Sequence, residues 1–126
     1  MATSTDRRSW QFRLVRLAGE LDLGTLAAFE PLLVRASTDP RRPELVVDLR
    51  SVTFMDCTPL RSLLTARSRC LAAEGWLRLV YSSPAIGRLL RAVNLTEEFP
   101  RYRTIHEARL GRPATRTALR AVGADR

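Results

Sequence analysis

The chain has 126 residues, a net charge of +8 and an apolar fraction of 45%. That length suits one domain with room for a sizeable core, and the apolar fraction excludes the disordered class. No apolar run reaches the ~20 residues of a membrane-spanning helix, and residues 1–8 lead into no stretch that reads as a signal peptide, so a cytoplasmic protein is expected.

Residues 1–9 are polar and expected to be disordered. In Trp10 to Leu17, Trp10, Phe12 and Leu14 alternate with Gln11 and Arg13, which predicts a half-buried strand near a sheet edge. Residues 18–22 end this first unit. Leu26, Phe29, Leu33 and Ala36 then follow helical spacing, with Thr25 as a candidate N-cap. Pro31 conflicts with a helix interior, so the helix either starts late, near Phe29, or kinks at its beginning. Residues 38–43 are a break.

The short run Leu45 to Leu49 predicts a buried central strand. A junction loop, Val52-Thr53-Phe54-Met55-Asp56-Cys57-Thr58, feeds a helix over residues 59–74. Leu60, Leu63, Leu64 and Leu71 form its apolar stripe, with Cys70 beside it. Arg67 lies near the middle of that stripe. It either snorkels along the core edge or marks where the helix leaves the core for a partner. Gly75 is read as the helix stop.

Residues 76–81 predict the next strand. Ser83 and Pro84 start a helix as N-cap and first-turn proline, carried by Ile86, Leu89, Leu90 and Val93. Residues 99–103 form a short edge strand, since Pro100 is tolerated only there. Residues 104–110 suit a last helix. The alternation implies an α/β fold with a mostly parallel sheet of four to five strands and about four helices. In such sheets, sites lie past the carboxyl ends of strands. Asp22 and the Asp56-Cys57-Thr58 loop both fall there.

All 21 basic residues are arginine, which reads as codon bias rather than function. Seven of them, against Glu107 and Asp125, lie from Arg101 onward and give +5 of the +8. Residues 111–126 are therefore a basic, flexible tail, and 10–110 the folded domain. Cys57 and Cys70 are 13 residues apart. At ~1.5 Å per helical residue that is beyond disulfide reach, so both thiols are expected reduced.

Catalytic signals are weak. His106 is the one histidine, and nothing orients it toward Cys57. Glycine-rich nucleotide loops and metal-ligand spacings are absent from the sequence, so no metal and no cofactor are expected. Thr58 at a helix start either caps the helix or offers a hydroxyl for modification. A phosphate there would bring about two negative charges beside Asp56.

Arg16-Leu17-Ala18-Gly19-Glu20-Leu21-Asp22, Val46-Val47-Asp48-Leu49, Val52-Thr53-Phe54-Met55-Asp56, Leu63-Leu64, Leu77-Arg78-Leu79-Val80, Ser83-Pro84-Ala85-Ile86 and Phe99-Pro100 together resemble the STAS domain of bacterial anti-sigma factor antagonists. The match runs over roughly residues 12–110. It implies a non-enzymatic partner-switching module. Such a module binds an anti-sigma factor that is also a serine/threonine kinase, frees a sigma factor, and is reset by a phosphatase. Neither a membrane nor nucleic acid is expected as a partner, although the basic tail is a minor nucleic-acid candidate.

The family's loop usually reads Asp-Ser-Ser/Thr-Gly-Leu, with the first hydroxyl as phosphoacceptor. Here Cys57 stands at that position, Thr58 is the neighbouring hydroxyl and phosphoacceptor candidate, and Pro59 replaces glycine. The switch thus uses Thr58, or the antagonist is unswitchable, or the partner is divergent. Cys57 is a small replacement for serine or a redox-sensitive thiol. The partner-binding residues implied are Asp22, Thr25, Asp56, Cys57, Thr58, Arg61 and Arg67. The alternative is a sensory or scaffold STAS domain that binds a small ligand or other STAS proteins without phosphorylation. A monomer is the simpler expectation.

Overall fold

The computed structural model describes residues 4–7 as backbone, and residues 12–38 and 41–114 in full. Five strands form one sheet in the order β1-β2-β3-β4-β5. They are β1 (Ser4–Arg7), β2 (Arg13–Leu21), β3 (Glu44–Met55), β4 (Trp76–Val80) and β5 (Arg101–Tyr102). β1 is antiparallel to β2, and the remaining pairs are parallel. The helices are α1 (Leu26–Ser37), α2 (Thr58–Ala72), α3 (Pro84–Ala92) and α4 (Ile105–Leu110), with a short 3-10 turn, Leu23–Thr25, ahead of α1. The mostly parallel α/β architecture expected from the sequence is the one observed.

The parallel strands follow chain order, so each right-handed crossover steps the same way across the sheet. This places α1, α2 and α3 on one face. Val15, Leu17, Leu45, Val47, Leu49 and Leu79 meet Phe29, Leu33, Leu60, Leu63 and Leu90 there in the main core. The alternate positions Leu14, Val46, Val80 and Tyr102 form a smaller core with Ala108 of α4 on the other face. Arg78 fastens α4 to that face. Its guanidinium lies 3.8 Å from the Trp76 ring centroid and donates to the Ala108 carbonyl at 3.0 Å, which satisfies a C-terminal helix acceptor.

Several sequence expectations change. Residues 4–7 form a strand, where disorder over 1–9 was expected. Trp10 and Gln11 lie outside the described residues, and β2 starts at Arg13 and runs on to Leu21. β3 is 12 residues long, so Val52, Thr53, Phe54 and Met55 are strand rather than junction loop. Helix α1 starts at Leu26, ahead of Pro31. Pro31 and Ala27 are both exposed, so the carbonyl that Pro31 leaves without a donor can be hydrated.

Leu71 and Val93 are exposed at 48% and 38%, outside the apolar stripes assigned to them. Cys70 is fully buried and takes the position given to Leu71. Gly75 follows the left-handed residue rather than occupying it. Glu74 has φ 66°, while the Gly75 N–H donates to the Cys70 carbonyl at 2.7 Å and that of Glu74 to Leu71 at 2.9 Å, a Schellman closure. Gly75 is needed for another reason: a Cβ there would lie 1.9 Å from the Pro43 carbonyl oxygen. The first residues of the supposed flexible tail are also held, because the Ala114 N–H donates to the Arg101 carbonyl at 2.8 Å. Residues 115–126 lie outside the described residues.

Candidate functional site

β2 and β3 end side by side, with Leu21 paired to Met55. Asp22 and Asp56 follow those two residues directly, so the parallel register brings both loops to one edge. The Asp56 N–H donates to the Leu21 carbonyl at 3.3 Å and ties the loops together. Because α1 and α2 lie on the same side, there is no topological switch point between them among the described residues. The edge is a surface, suited to docking.

Asp22 and Thr25 are engaged with each other. The Thr25 N–H donates to Asp22 Oδ1 at 3.1 Å, and the Asp22 N–H donates to Thr25 Oγ1 at 3.1 Å. This reciprocal box closes the 3-10 turn. The Thr25 hydroxyl also donates to the Glu20 carbonyl at 2.8 Å. Thr25 stands at the N-cap of α1 but makes no side-chain cap there.

The start of α2 differs from the sequence expectation. Cys57 occupies the N-cap position without a side-chain bond, and Thr58 is the first helical residue. Asp56 does the capping: its Oδ1 accepts from the Thr58 N–H at 2.8 Å. Thr58 cannot cap because it lies one residue inside the helix, and among the described residues its hydroxyl has no hydrogen-bond partner. Pro59, at the second helical position, is buried against the core. The Leu60 N–H donates to the Cys57 carbonyl at 3.1 Å. The first N–H groups of α2 are thus bonded or, at Pro59, missing, and an anion at Thr58 would gain little from them.

Cys57, Thr58 and Arg61 line a cleft of ≈ 350 Å³ together with Leu26, Glu30 and Ser62. Ser62 donates to Glu30 across it, Oγ to Oε2, at 3.0 Å. Cys57 and Arg61 are exposed and Thr58 is half-buried. Arg67 is not brought to this site. At 3.6 residues per turn it lies about half a turn round the helix from Thr58 and roughly 13 Å along it. It is half-buried and absent from the cleft lining.

Sequence reasoning missed Leu26, Glu30 and Ser62, which reach the cleft only through the packing of α1 on α2. Leu23 and Phe54 lie on the same edge, exposed at 75% and 52%. Two apolar side chains left in water at the carboxyl ends of β2 and β3 are a docking signal.

A family model of the STAS domain matches residues 5–108, and the chain belongs to that family. A STAS-domain containing protein of Pseudomonas aeruginosa strain UCBPP-PA14 is 29% identical over 85 residues, spanning 68% of this chain and 82% of that protein. The crystal structure of an anti-sigma factor antagonist from Mycobacterium paratuberculosis superposes with a TM-score of 0.73 at 27% identity, covering 87% of this chain and 92% of that one. The phosphorylated form of the Bacillus cell fate determinant SpoIIAA shares the fold, with a TM-score of 0.62 at 20% identity and coverage of 85% and 96%. The chain therefore has the STAS fold in the form shared with anti-sigma factor antagonists. Among the described residues, no helix is long and apolar enough to cross a membrane.

Proposed function

We propose that this chain is an anti-sigma factor antagonist. Its docking surface captures a kinase-type anti-sigma factor and so frees a sigma factor. The observation that carries this reading is the Cys57-Thr58-Arg61 face, which opens on the α1–α2 cleft with exposed Leu23 and Phe54 on the same edge. The likeness to the mycobacterial antagonist supports it. Asp22, Thr25 and Asp56 act by shaping the loops, while Cys57, Thr58 and Arg61 make the contact. The protein works by binding in the cytoplasm and catalyses no reaction itself.

Regulation rests on Thr58. Its hydroxyl is uncommitted, and the partner's kinase activity would transfer the γ-phosphoryl group of ATP to Oγ1 with loss of the hydroxyl proton. The resulting dianion would lie beside Asp56 with few free backbone donors, and Arg61 is the one arginine among the described residues that lines the same cleft. Repulsion and bulk would then release the partner, and a phosphatase would restore binding. The phosphorylated state of the Bacillus relative supports a switch of this type.

Incubation with the kinase-type anti-sigma factors of the source organism and ATP, followed by mass spectrometry of the loop peptide, tests the switch. The expected result is one phosphate, lost in Thr58→Ala. Binding without phosphate would identify a constitutive antagonist and overturn the switch at Thr58. Failure to bind any such partner would overturn the antagonist reading. It would leave a sensory or scaffold STAS domain, which the departure of this loop from the family pattern also supports.

A further inference from the structure

Helix α2 packs along α1, and α3 makes no comparable contact with α2. Ser62 and Arg69 mark the α1 flank of α2, since they bond Glu30 and Ser37. At 3.6 residues per turn, Leu64, Arg67 and Leu71 form a row on the opposite flank. Gly87 and Arg91 mark the flank of α3 that faces the β5 segment, where both line a cavity with Arg101. Leu89 and Val93 are therefore on the flank turned toward α2. The two rows border an apolar groove. Leu64 and Leu89 pack partly against the main core at its floor, while Leu71 and Val93 are left 48% and 38% exposed. We propose that this groove docks an amphipathic helix of a second protein, one that carries acidic residues beside its apolar anchors.

Charge selects the acidic class of partner. α2 and α3 carry five arginines, and neither helix contains Asp or Glu. The nearest acids in sequence beyond their C-terminal ends, Glu74 and Glu97, fall outside both helices. Arg67 stands within the groove row, between Leu64 and Leu71, and is half-buried. Among the described residues its guanidinium has no hydrogen-bond or ion-pair partner. A partly desolvated guanidinium gains most from a carboxylate, whose two oxygens match its fork. Arginine set among apolar side chains is also a frequent interface anchor. Docking of a helix in a groove uses apolar anchors at i, i+3, i+4 and i+7, and the exposed Leu71 and Val93 offer them apolar surface to cover.

The same features count against other occupants. A second copy docked about a twofold axis centred on this groove would bring Arg67 against Arg67. Single-stranded nucleic acid stacks on aromatic side chains, and neither helix contains one. A lipid surface is met by an apolar face segregated from the basic one, whereas Arg67 sits inside the apolar row. Arg67 is absent from the lining of the Cys57-Thr58 cleft. The groove is therefore a second surface, and it can be tested on the full chain alone, independently of any anti-sigma factor.

Random displayed peptides selected on the immobilised full chain, then synthesised and titrated by fluorescence anisotropy, test the proposal. The enriched sequences should place apolar residues at helical spacing with Asp or Glu beside them. Their Kd should rise by about tenfold or more in Arg67→Ala and in Leu71→Ser, which leaves the charge unchanged. Arg35→Ala removes the same charge from an exposed position on α1 and should raise Kd by no more than about twofold. Selection on Arg67→Glu should exchange the acidic residues of the peptides for Lys or Arg. Leu71 is exposed and Arg67 unbonded, and far-UV circular dichroism verifies that each variant is folded. The proposal is overturned if no peptide is enriched, if the enriched peptides lack acidic residues, or if both groove variants bind them as tightly as the wild type. Sedimentation of the chain with phosphatidylglycerol vesicles that Leu71→Ser abolishes would overturn it in favour of a lipid surface. A dimer in sedimentation velocity that Leu71→Ser abolishes would overturn it in favour of a second copy.

Discussion

Cys57 and Cys70 carry the same thiol into opposite surroundings. Cys57 is exposed at the head of α2, whereas Cys70 is wholly buried in the main core. Burial pushes the Cys70 thiol up to about 11, with the charge of Arg69 opposing, so its thiolate is scarce at neutral pH. Titration with a thiol reagent at pH 8 should therefore modify one cysteine in the native chain and two in denaturant. Mass spectrometry should place the native label on Cys57, and native labelling of Cys70 would contradict the packing described. The Asp56 carboxylate allows a second test. Asp56→Ala removes the acceptor of the Thr58 N–H and should cost about 1 kcal/mol, seen as a fall in Tm of several degrees, while Thr58→Ala should change Tm little because its hydroxyl is unbonded. The sequence pointed to Thr58 as the cap since Asp56 and Thr58 are both good capping types. Only the first helical turn distinguishes them, and its start depends on where β3 releases the chain.

Element ends were the least legible part of the sequence, for reasons that differ between elements. β3 continues through Val52 and Met55 because β2 extends beside it to Leu21, with two register shifts. A bulge breaks the period-two alternation that marks a strand, so the last third read as loop. Helix α1 contains Pro31 because the position faces water and the freed carbonyl is open to hydration there; the local rule holds, but its cost is reduced by exposure. Replacing Pro31 by alanine should therefore stabilise the chain by roughly 1–2 kcal/mol, after allowance for the added entropy of the unfolded state. Urea unfolding at an unchanged m-value measures it. Gly75 behaves in the opposite way. Its backbone needs no left-handed conformation, yet a Cβ would run into the backbone of Pro43, where the Trp76 N–H donates to the Pro43 carbonyl at 3.0 Å. Gly75→Ala should cost about 2–3 kcal/mol or more by forcing the entry to β3 away from the entry to β4. A glycine after a helix reads as a C-terminal stop from sequence alone, and the close approach becomes visible only when residue 43 is brought beside it.

At the scale of the whole molecule, strand order and helix order were legible because both follow from alternation and crossover handedness. The division of labour between the two sheet faces was not. Three helices cover one face, and the six-residue α4 covers only part of the other, so polar residues complete the second face. Asp48 is the centre of that polar patch. It is 7% exposed and accepts from Arg50 Nε at 2.9 Å and Nη2 at 3.0 Å, with Arg16 at 4.0 Å on the neighbouring strand. In the sequence, Val46-Val47-Asp48-Leu49 looked like a buried strand with one stray charge; the partner two residues on, on the same face of the strand, accounts for it. Burial alone would raise the Asp48 pKa, but the hydrogen bonds and charge of Arg50, aided by Arg16, outweigh it and hold the carboxyl below its ordinary 3.8. A depressed carboxyl pKa in the folded chain contributes stability that is fully present above the unfolded value and is lost as pH falls through the folded one. Arg50 is partly solvated, with 39% of its side chain exposed, which limits the pair to about 1 kcal/mol. Asp48→Asn should therefore be less stable than the wild type by about that amount at pH 7. The gap should close as pH is lowered below 3.8, because the wild-type carboxyl then becomes neutral too. Chemical denaturation of both chains across that window measures the difference, and a gap that stayed constant into acid would show that Asp48 stabilises the sheet by shape rather than by charge.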